Sequence, residues 1–203
     1  MSMRSFERSL SLVVVCLITA TTALAQSDNA PVLDTKGHPL KYGKDYYIKP
    51  ATTDNGGPFT LIDRNGPCDL YVGQENSNVS KGLPVVFMAF AKEDDAVKVN
   101  RDFKVAFSAE TICVQSTEWN LGEKDPQSGK RLITTTGNDG EGTYFRIVET
   151  HFEGIYNIQW CPTDVCPLCK FDCGTVGGLH ENENGKILLA LDGNDLPVVF
   201  EMA

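Results

Sequence analysis

The 203-residue chain has 18 Lys and Arg against 27 Asp and Glu, a formal net charge of -9. It has no Lys/Arg cluster of the kind that follows a phosphate backbone, so nucleic acid is not an expected partner. With 41% hydrophobic residues it can bury a core of ordinary domain size, and its acidity speaks for solubility rather than for one activity.

Residues 1–25 have the form of a secretory signal: Arg4 and Arg8, an apolar stretch over 10–18, then the small-residue ending Ala23-Leu24-Ala25. The stretch is shorter than the roughly 20 residues needed to cross a bilayer, and no later segment is long and uncharged enough to anchor the chain. The expected product begins near Gln26, is exported without a membrane partner, and forms one domain over 26–203.

Export changes the meaning of the cysteines. Cys16 would leave with the signal; Cys68 and Cys113 stand alone, and Cys161, Cys166, Cys169 and Cys173 crowd one short segment. In a reducing compartment Cys166-Pro167-Leu168-Cys169 could be a redox dithiol or half of a zinc site. In an exported domain without a following thioredoxin-like helix, the even set that remains is expected to form structural disulfides, with the pairing left open.

Short runs rich in Val, Ile, Phe and Tyr follow one another: Tyr46-Tyr47-Ile48, Phe59-Thr60-Leu61-Ile62, Leu70-Tyr71-Val72, Val85-Val86-Phe87, Val97-Lys98-Val99, Phe103-Lys104-Val105-Ala106-Phe107, Tyr144-Phe145-Arg146-Ile147-Val148, Tyr156-Asn157-Ile158-Gln159-Trp160, Ile187-Leu188-Leu189-Ala190-Leu191 and Pro197-Val198-Val199-Phe200. No helical apolar period intervenes, which predicts an all-β fold. Asn55-Gly56-Gly57-Pro58, Asn65-Gly66-Pro67, Asn138-Asp139-Gly140 and Asn184-Gly185 read as turns, as do Gly56-Gly57 and Gly177-Gly178. An aromatic-x-aliphatic segment recurs at Tyr46, Phe103 and Tyr156, at intervals of 57 and 53 residues. That recurrence suggests three similar units; a two-sheet sandwich is the competing architecture.

Catalytic signals are weak. His38, His151 and His180 fall in different loops or edges, with no nucleophile elbow and no metal-binding helix around them, so neither enzyme activity nor a metal or cofactor is expected. Asp94 and Asp95 read as a solvated loop rather than a glycosidase pair. Asn78-Val79-Ser80 is a glycosylation sequon available to an exported chain.

Several blocks in order carry a family resemblance. Val32-Leu33-Asp34-Thr35-Lys36-Gly37-His38-Pro39-Leu40 with Tyr46-Tyr47-Ile48, then Ala109 to Trp119, then Tyr156-Asn157-Ile158-Gln159-Trp160-Cys161-Pro162, and finally Gly185 to Leu191 with Leu196-Pro197-Val198-Val199-Phe200 resemble the plant Kunitz-type (soybean trypsin inhibitor) family. The resemblance implies a β-trefoil with pseudo-threefold symmetry. It also implies the disulfides Cys68–Cys113 and Cys161–Cys173, plus Cys166–Cys169 as the extra small ring of miraculin-like members.

For function it implies a monomeric, secreted or vacuolar inhibitor of serine proteases, with a place in plant defence. A rigid loop between the fourth and fifth strands would enter the protease as a substrate does. By position that loop runs from Met88 to Ala96, between Val85-Val86-Phe87 and Val97-Lys98-Val99, and holds Phe90, Ala91, Lys92, Glu93, Asp94 and Asp95, with Lys92 the first candidate to enter a trypsin-like pocket. Counting forward from Gly82 points to Phe90, suited to a chymotrypsin-like enzyme; counting backward from Phe107 points to Glu93. The chain departs from the family pattern in three places. Tyr42 replaces a loop-bracing asparagine, Lys36 a usually acidic or polar residue, and three carboxylates follow Lys92 on the leaving-group side, where many trypsin-like enzymes disfavour them. The alternative is a non-inhibitory member that binds a carbohydrate, a receptor or a protease surface, or that serves as a storage protein.

Overall fold

The computed structural model describes residues 29–203 except 53, 55, 65, 67, 69, 78, 79, 92–94, 114, 115, 138 and 182–184. The signal segment with Cys16, the sequon residue Asn78, and Lys92, Glu93 and Asp94 therefore lie outside the described residues.

Alternation at period two is what builds the barrel. In Tyr46-Tyr47-Ile48, Phe103-Lys104-Val105 and Tyr156-Asn157-Ile158 the first and third side chains are buried and the middle one is half-buried. These segments lie in β1 (Asp45–Pro50), β5 (Phe103–Phe107) and β9 (Tyr156–Trp160), each the leading strand of one unit. With β4 (Val85–Ala89), β8 (Arg146–Glu149) and β12 (Val198–Met202) they close a six-stranded barrel. Pairing runs β1 to β4 to β5 and β8 to β9 to β12 to β1. Closure between β5 and β8 rests on Phe103 and Phe145, whose backbones exchange two hydrogen bonds of 2.9 Å.

Three hairpins cap one end: β2 (Phe59–Asp63) with β3 (Leu70–Gln74), β6 (Asn120–Lys124) with β7 (Arg131–Thr134), and β10 (Gly174–His180) with β11 (Ile187–Leu191). Strands β3, β7 and β11 pair with one another, which draws the hairpins into a triangle. This is a β-trefoil.

Aromatic rings fill the barrel. Phe87 meets Phe103 edge-on at 5.2 Å and Phe200 at 5.8 Å, while Trp119 packs against Phe59, Phe107 and Phe145. Beneath the cap Leu132, Leu188 and Ala190 form a second, smaller core.

Three differences from the sequence expectations have physical causes. Gly177-Gly178 lies inside β10 rather than in a turn, because a Cβ on Gly177 would stand 2.4 Å from the Asn194 carbonyl oxygen; the strand needs glycine where another backbone crosses it. Strands β6 and β7 are not among the expected runs: Asn120, Gly122 and Glu123 give β6 poor strand propensity, and β7 is only four residues long, so tertiary pairing makes them. The segment at 97–99 is not a strand of the barrel.

The disulfides are Cys68–Cys113, Cys161–Cys173 and Cys166–Cys169, at sequence separations of 45, 12 and 3. In the chain-entropy account the first contributes about 4 kcal/mol and the second about 3 kcal/mol.

An ionic knot joins the hairpins. Arg64, Asp125 and Glu181 are each the first residue after the leading strand of their hairpin. The Arg64 guanidinium donates to Asp125 Oδ1 at 2.7 Å and to Glu181 Oε1 at 2.6 Å, and lies over the Tyr71 ring. The hydrogen bond from Arg64, aided by two from Ser128, holds the Asp125 carboxyl down to about 2 despite its burial.

Candidate functional site

β4 and β5 form an antiparallel ladder from Val85 opposite Phe107 to Ala89 opposite Phe103, leaving 90–102 as their connection. Its returning limb turns away from β4 and joins the N-terminal segment. Val32 N–H donates to Val97 O at 2.9 Å, Val97 N–H to Leu40 O at 2.8 Å, and Val99 N–H to Ala30 O at 2.9 Å. Val97 and Val99 are buried, so this limb is fixed by apolar packing as well as by backbone bonds.

The residues expected to meet a protease separate into held and free. Phe90 leaves β4 and meets the Tyr144 ring edge-on at 5.6 Å; it remains 42% exposed. Lys104 Nζ sits 5.2 Å from the centre of that same Tyr144 ring and bonds Glu118 at 2.9 Å and Asp139 at 3.1 Å. Burial opposes the Lys104 charge, but the two carboxylates outweigh it and hold the ammonium above its ordinary value. Ala91 is half-buried and Asp95 exposed. Lys92, Glu93 and Asp94, between them, lie outside the described residues.

Tyr42 is half-buried and packs against the main core. At that corner the neighbouring bonds come from main chain: Gly43 N–H donates to Phe87 O at 3.0 Å, and Lys41 N–H donates to the hydroxyl of the buried Tyr46 at 2.9 Å. Gly43 has φ of 70°, a backbone state in which glycine meets no Cβ penalty. His38 lies in a turn organised by Asp34, whose Oδ1 accepts the N–H groups of Lys36 and His38.

The far end of the loop is held by Asp102, a residue that sequence reasoning passed over. Its side chain is fully buried. Oδ1 accepts from Arg146, with Nε at 3.0 Å and Nη2 closer still; Oδ2 accepts the N–H groups of Asp164 at 2.7 Å and Val165 at 3.2 Å. In return Asp102 N–H donates to Asp164 Oδ2 at 3.0 Å, and Arg146 also reaches Thr163 Oγ1 at 2.8 Å. Burial pushes the Asp102 carboxyl above the usual carboxylate range, and Arg146 and the Asp164 N–H pull it part of the way back. The β4–β5 connection and the cysteine-rich loop at 161–173 thus share one anchor. The hint in the sequence was a lone acid directly before a strand and an arginine inside another.

Among the described residues, nothing at this site has the form of a catalytic centre and no group of three His, Cys, Asp or Glu could hold a metal ion. A concavity of about 500 Å³ lies instead on the hairpin cap, lined by residues that include Tyr71, Leu132 and Thr134 and by none of the β4–β5 connection.

The family described as trypsin and protease inhibitor, Kunitz legume type, matches residues 32–202. The chain belongs to that family. Kunitz type trypsin inhibitor 106 of Medicago truncatula is 53% identical over 208 residues, covering 99% of both chains. Among solved structures, the rice bifunctional α-amylase/subtilisin inhibitor is 34% identical with a TM-score of 0.69, covering 86% of this chain and 99% of its own. The potato Kunitz-type cysteine protease inhibitor PCPI-3 is 28% identical with a TM-score of 0.73, covering 86% of this chain and 98% of its own. The relatives named as Kunitz type trypsin inhibitors are inhibitors and not enzymes, and this chain is accordingly no enzyme.

Proposed function

We propose that this Kunitz-family chain is a secreted inhibitor of serine endopeptidases, acting through a substrate-like loop at 90–95. The observation that carries the reading is the mounting of that loop. Its outgoing limb continues β4, and its returning limb is bonded to the N-terminal segment and then anchored at Asp102. A segment fixed at both ends loses little conformational freedom on entering a protease cleft, and after cleavage its ends stay together. Relatives named as trypsin inhibitors, and a double-headed inhibitor solved in complex with two trypsins, support a protease of the trypsin class as partner of a single copy of this chain.

Within the loop we assign Lys92 to the specificity pocket. Phe90 is engaged with Tyr144, whereas Lys92 supplies the cation that a trypsin-like pocket accepts. Glu93, Asp94 and Asp95 then narrow the range of enzymes that tolerate the loop. Inhibition constants against trypsin-, chymotrypsin-, elastase- and papain-type proteases test the reading. Lys92→Ala should greatly weaken inhibition of a trypsin-like enzyme and Phe90→Ala should not; equal loss in both variants would overturn the assignment. Absence of inhibition throughout the panel would favour the non-inhibitory binding role, to which Tyr42, at the position where the family resemblance implies a loop-bracing asparagine, lends its weight.

Export, to the cell exterior or the vacuole, is part of the proposal. Three disulfides suit an oxidising route, and residues 1–25 have the composition of its entry signal. Amino-terminal sequencing of the accumulated protein should begin near Gln26, and a mass excess lost on deglycosylation would place a glycan at Asn78.

A further inference from the structure

The most exposed large apolar side chain described is Leu168, at 96%. Single exposed leucines are ordinary on a protein surface, but this one is held in place by an unusual amount of structure. Pro167 and Leu168 form the tip of a turn in which Cys169 N–H donates to Cys166 O at 3.1 Å, and the Cys166–Cys169 disulfide closes the same turn covalently. That ring lies inside the larger ring of Cys161–Cys173. On one side the loop is bonded to Asp102 through Asp164 and Val165; on the other Phe171 packs edge-on against Trp160 at 5.4 Å. An apolar group presented this rigidly loses little entropy when a partner covers it, which is the property of an interface anchor.

We infer that the Cys166–Cys169 ring is a second contact point for the protease held by the loop at 90–95, with Leu168 as an apolar anchor seated outside the enzyme's substrate cleft. The inference rests on the inhibitory reading above. Two observations shape it. The turn at Pro167-Leu168 is closed by its own hydrogen bond and disulfide, whereas a segment bound as substrate must be extended, so Leu168 is not a second cleavage-type residue. The partner is the same enzyme because the two loops share Asp102. Val165 is bonded to Asp102, Phe103 is paired with Ala89, and Ala91 follows two residues later. Chain reach then keeps Leu168 within roughly 30 Å of Ala91, about the width of a standard interface of about 800 Å² per partner.

Surface plasmon resonance of the purified secreted protein on an immobilised protease that it inhibits tests the inference. Leu168→Asp should raise Kd about tenfold, mainly through faster dissociation. Its thermal unfolding should not move, because the exposed side chain has no intramolecular packing to lose. Cys166→Ser with Cys169→Ser, which opens the ring while leaving Leu168 in place, should weaken binding by a smaller factor. Unchanged Kd for Leu168→Asp, with Lys92→Ala strongly weakened, would overturn the anchor and leave the inhibitory reading standing. A wild-type protein that binds no protease would end both. Cleavage after Leu168 by the bound enzyme would also overturn the anchor, because it requires the extended presentation that the turn denies.

Discussion

Two arginine–aspartate clusters hold this trefoil, and they differ in what they join and in how completely they are satisfied. On the cap, Arg64 ties three hairpin tips through Asp125 and Glu181. Glu181 Oε2 is buried there with no hydrogen-bond partner among the described residues. Beside the barrel, Arg146 and two backbone N–H groups satisfy both oxygens of Asp102. The first cluster closes a symmetric cap; the second couples the β4–β5 connection to the cysteine-rich loop. A buried charge is tolerated where every lone pair is used, and such a site then becomes costly to disturb from any side.

The largest expected effect follows from the difference in burial. Arg146→Met leaves the Asp102 charge inside the protein with only backbone donors, and it should cost about 3–5 kcal/mol in urea unfolding. A loss under about 1 kcal/mol would mean that Asp102 neutralises at no cost and that the two clusters are alike. Arg64→Met should cost less, about 1–3 kcal/mol, since its carboxylates sit at hairpin tips that can turn toward water.

Acid separates the clusters further. The Asp125 carboxyl is held near 2 in the folded state, below the roughly 3.9 of an unfolded chain, so its stabilisation is complete above about pH 4 and fades as pH falls through 2. Asp102 runs the other way: its carboxyl lies above the unfolded value, so its proton-linked contribution is full below that value and is lost as pH rises through the folded one. Urea unfolding of wild type and Asp125→Asn should therefore differ by about 2 kcal/mol at pH 6 and converge near pH 2. A gap that stays constant with pH would remove the ionic account of the knot.

The smallest expected effect is the one closest to function. If the latch at Asp102 mounts the inhibitory loop, Arg146→Met should raise the inhibition constant at least about tenfold at a temperature where the variant remains folded, while Arg64→Met should leave it within about twofold. Equal effects of the two substitutions would show that loop mounting and cap closure are not separable.

The fold was largely legible because its signal is local. Buried and half-buried positions alternate along β1, β5 and β9, and the recurrence of Tyr46, Phe103 and Tyr156 suggests three units without excluding a sandwich, a choice that the family resemblance makes. The same repeat nearly aligns Arg64, Asp125 and Glu181, at offsets of 61 and 56 residues, so the knot left a trace that hydrophobic pattern reading does not register. Strand β6 left almost none, since Asn120, Gly122 and Glu123 have poor strand propensity and are drawn into a strand by their neighbours, and β7 is a run of only four residues. At the candidate site, position along the chain found where the connection leaves β4 but took 97–99 for the strand that closes it, which is β5 at 103–107, and the residues that hold the connection are distant in sequence. Tyr144 beneath Phe90 and Asp164 beside Asp102 become neighbours only after the barrel closes.

By itself, the sequence determined an all-β chain, a family resemblance that implies three units, a cysteine set suited to an oxidising route and a short list of loop residues. Each of these is written in near-neighbour pattern or in the order of motifs. Tertiary structure alone decided that the segment at 97–99 joins the N-terminal chain instead of the barrel, that Gly177 lies in a crowded strand, and that one buried aspartate binds the β4–β5 connection to the cysteine-rich loop. Those outcomes depend on which distant surfaces meet when the barrel closes, and a burial pattern of period two says which side of a strand faces inward without saying what waits there.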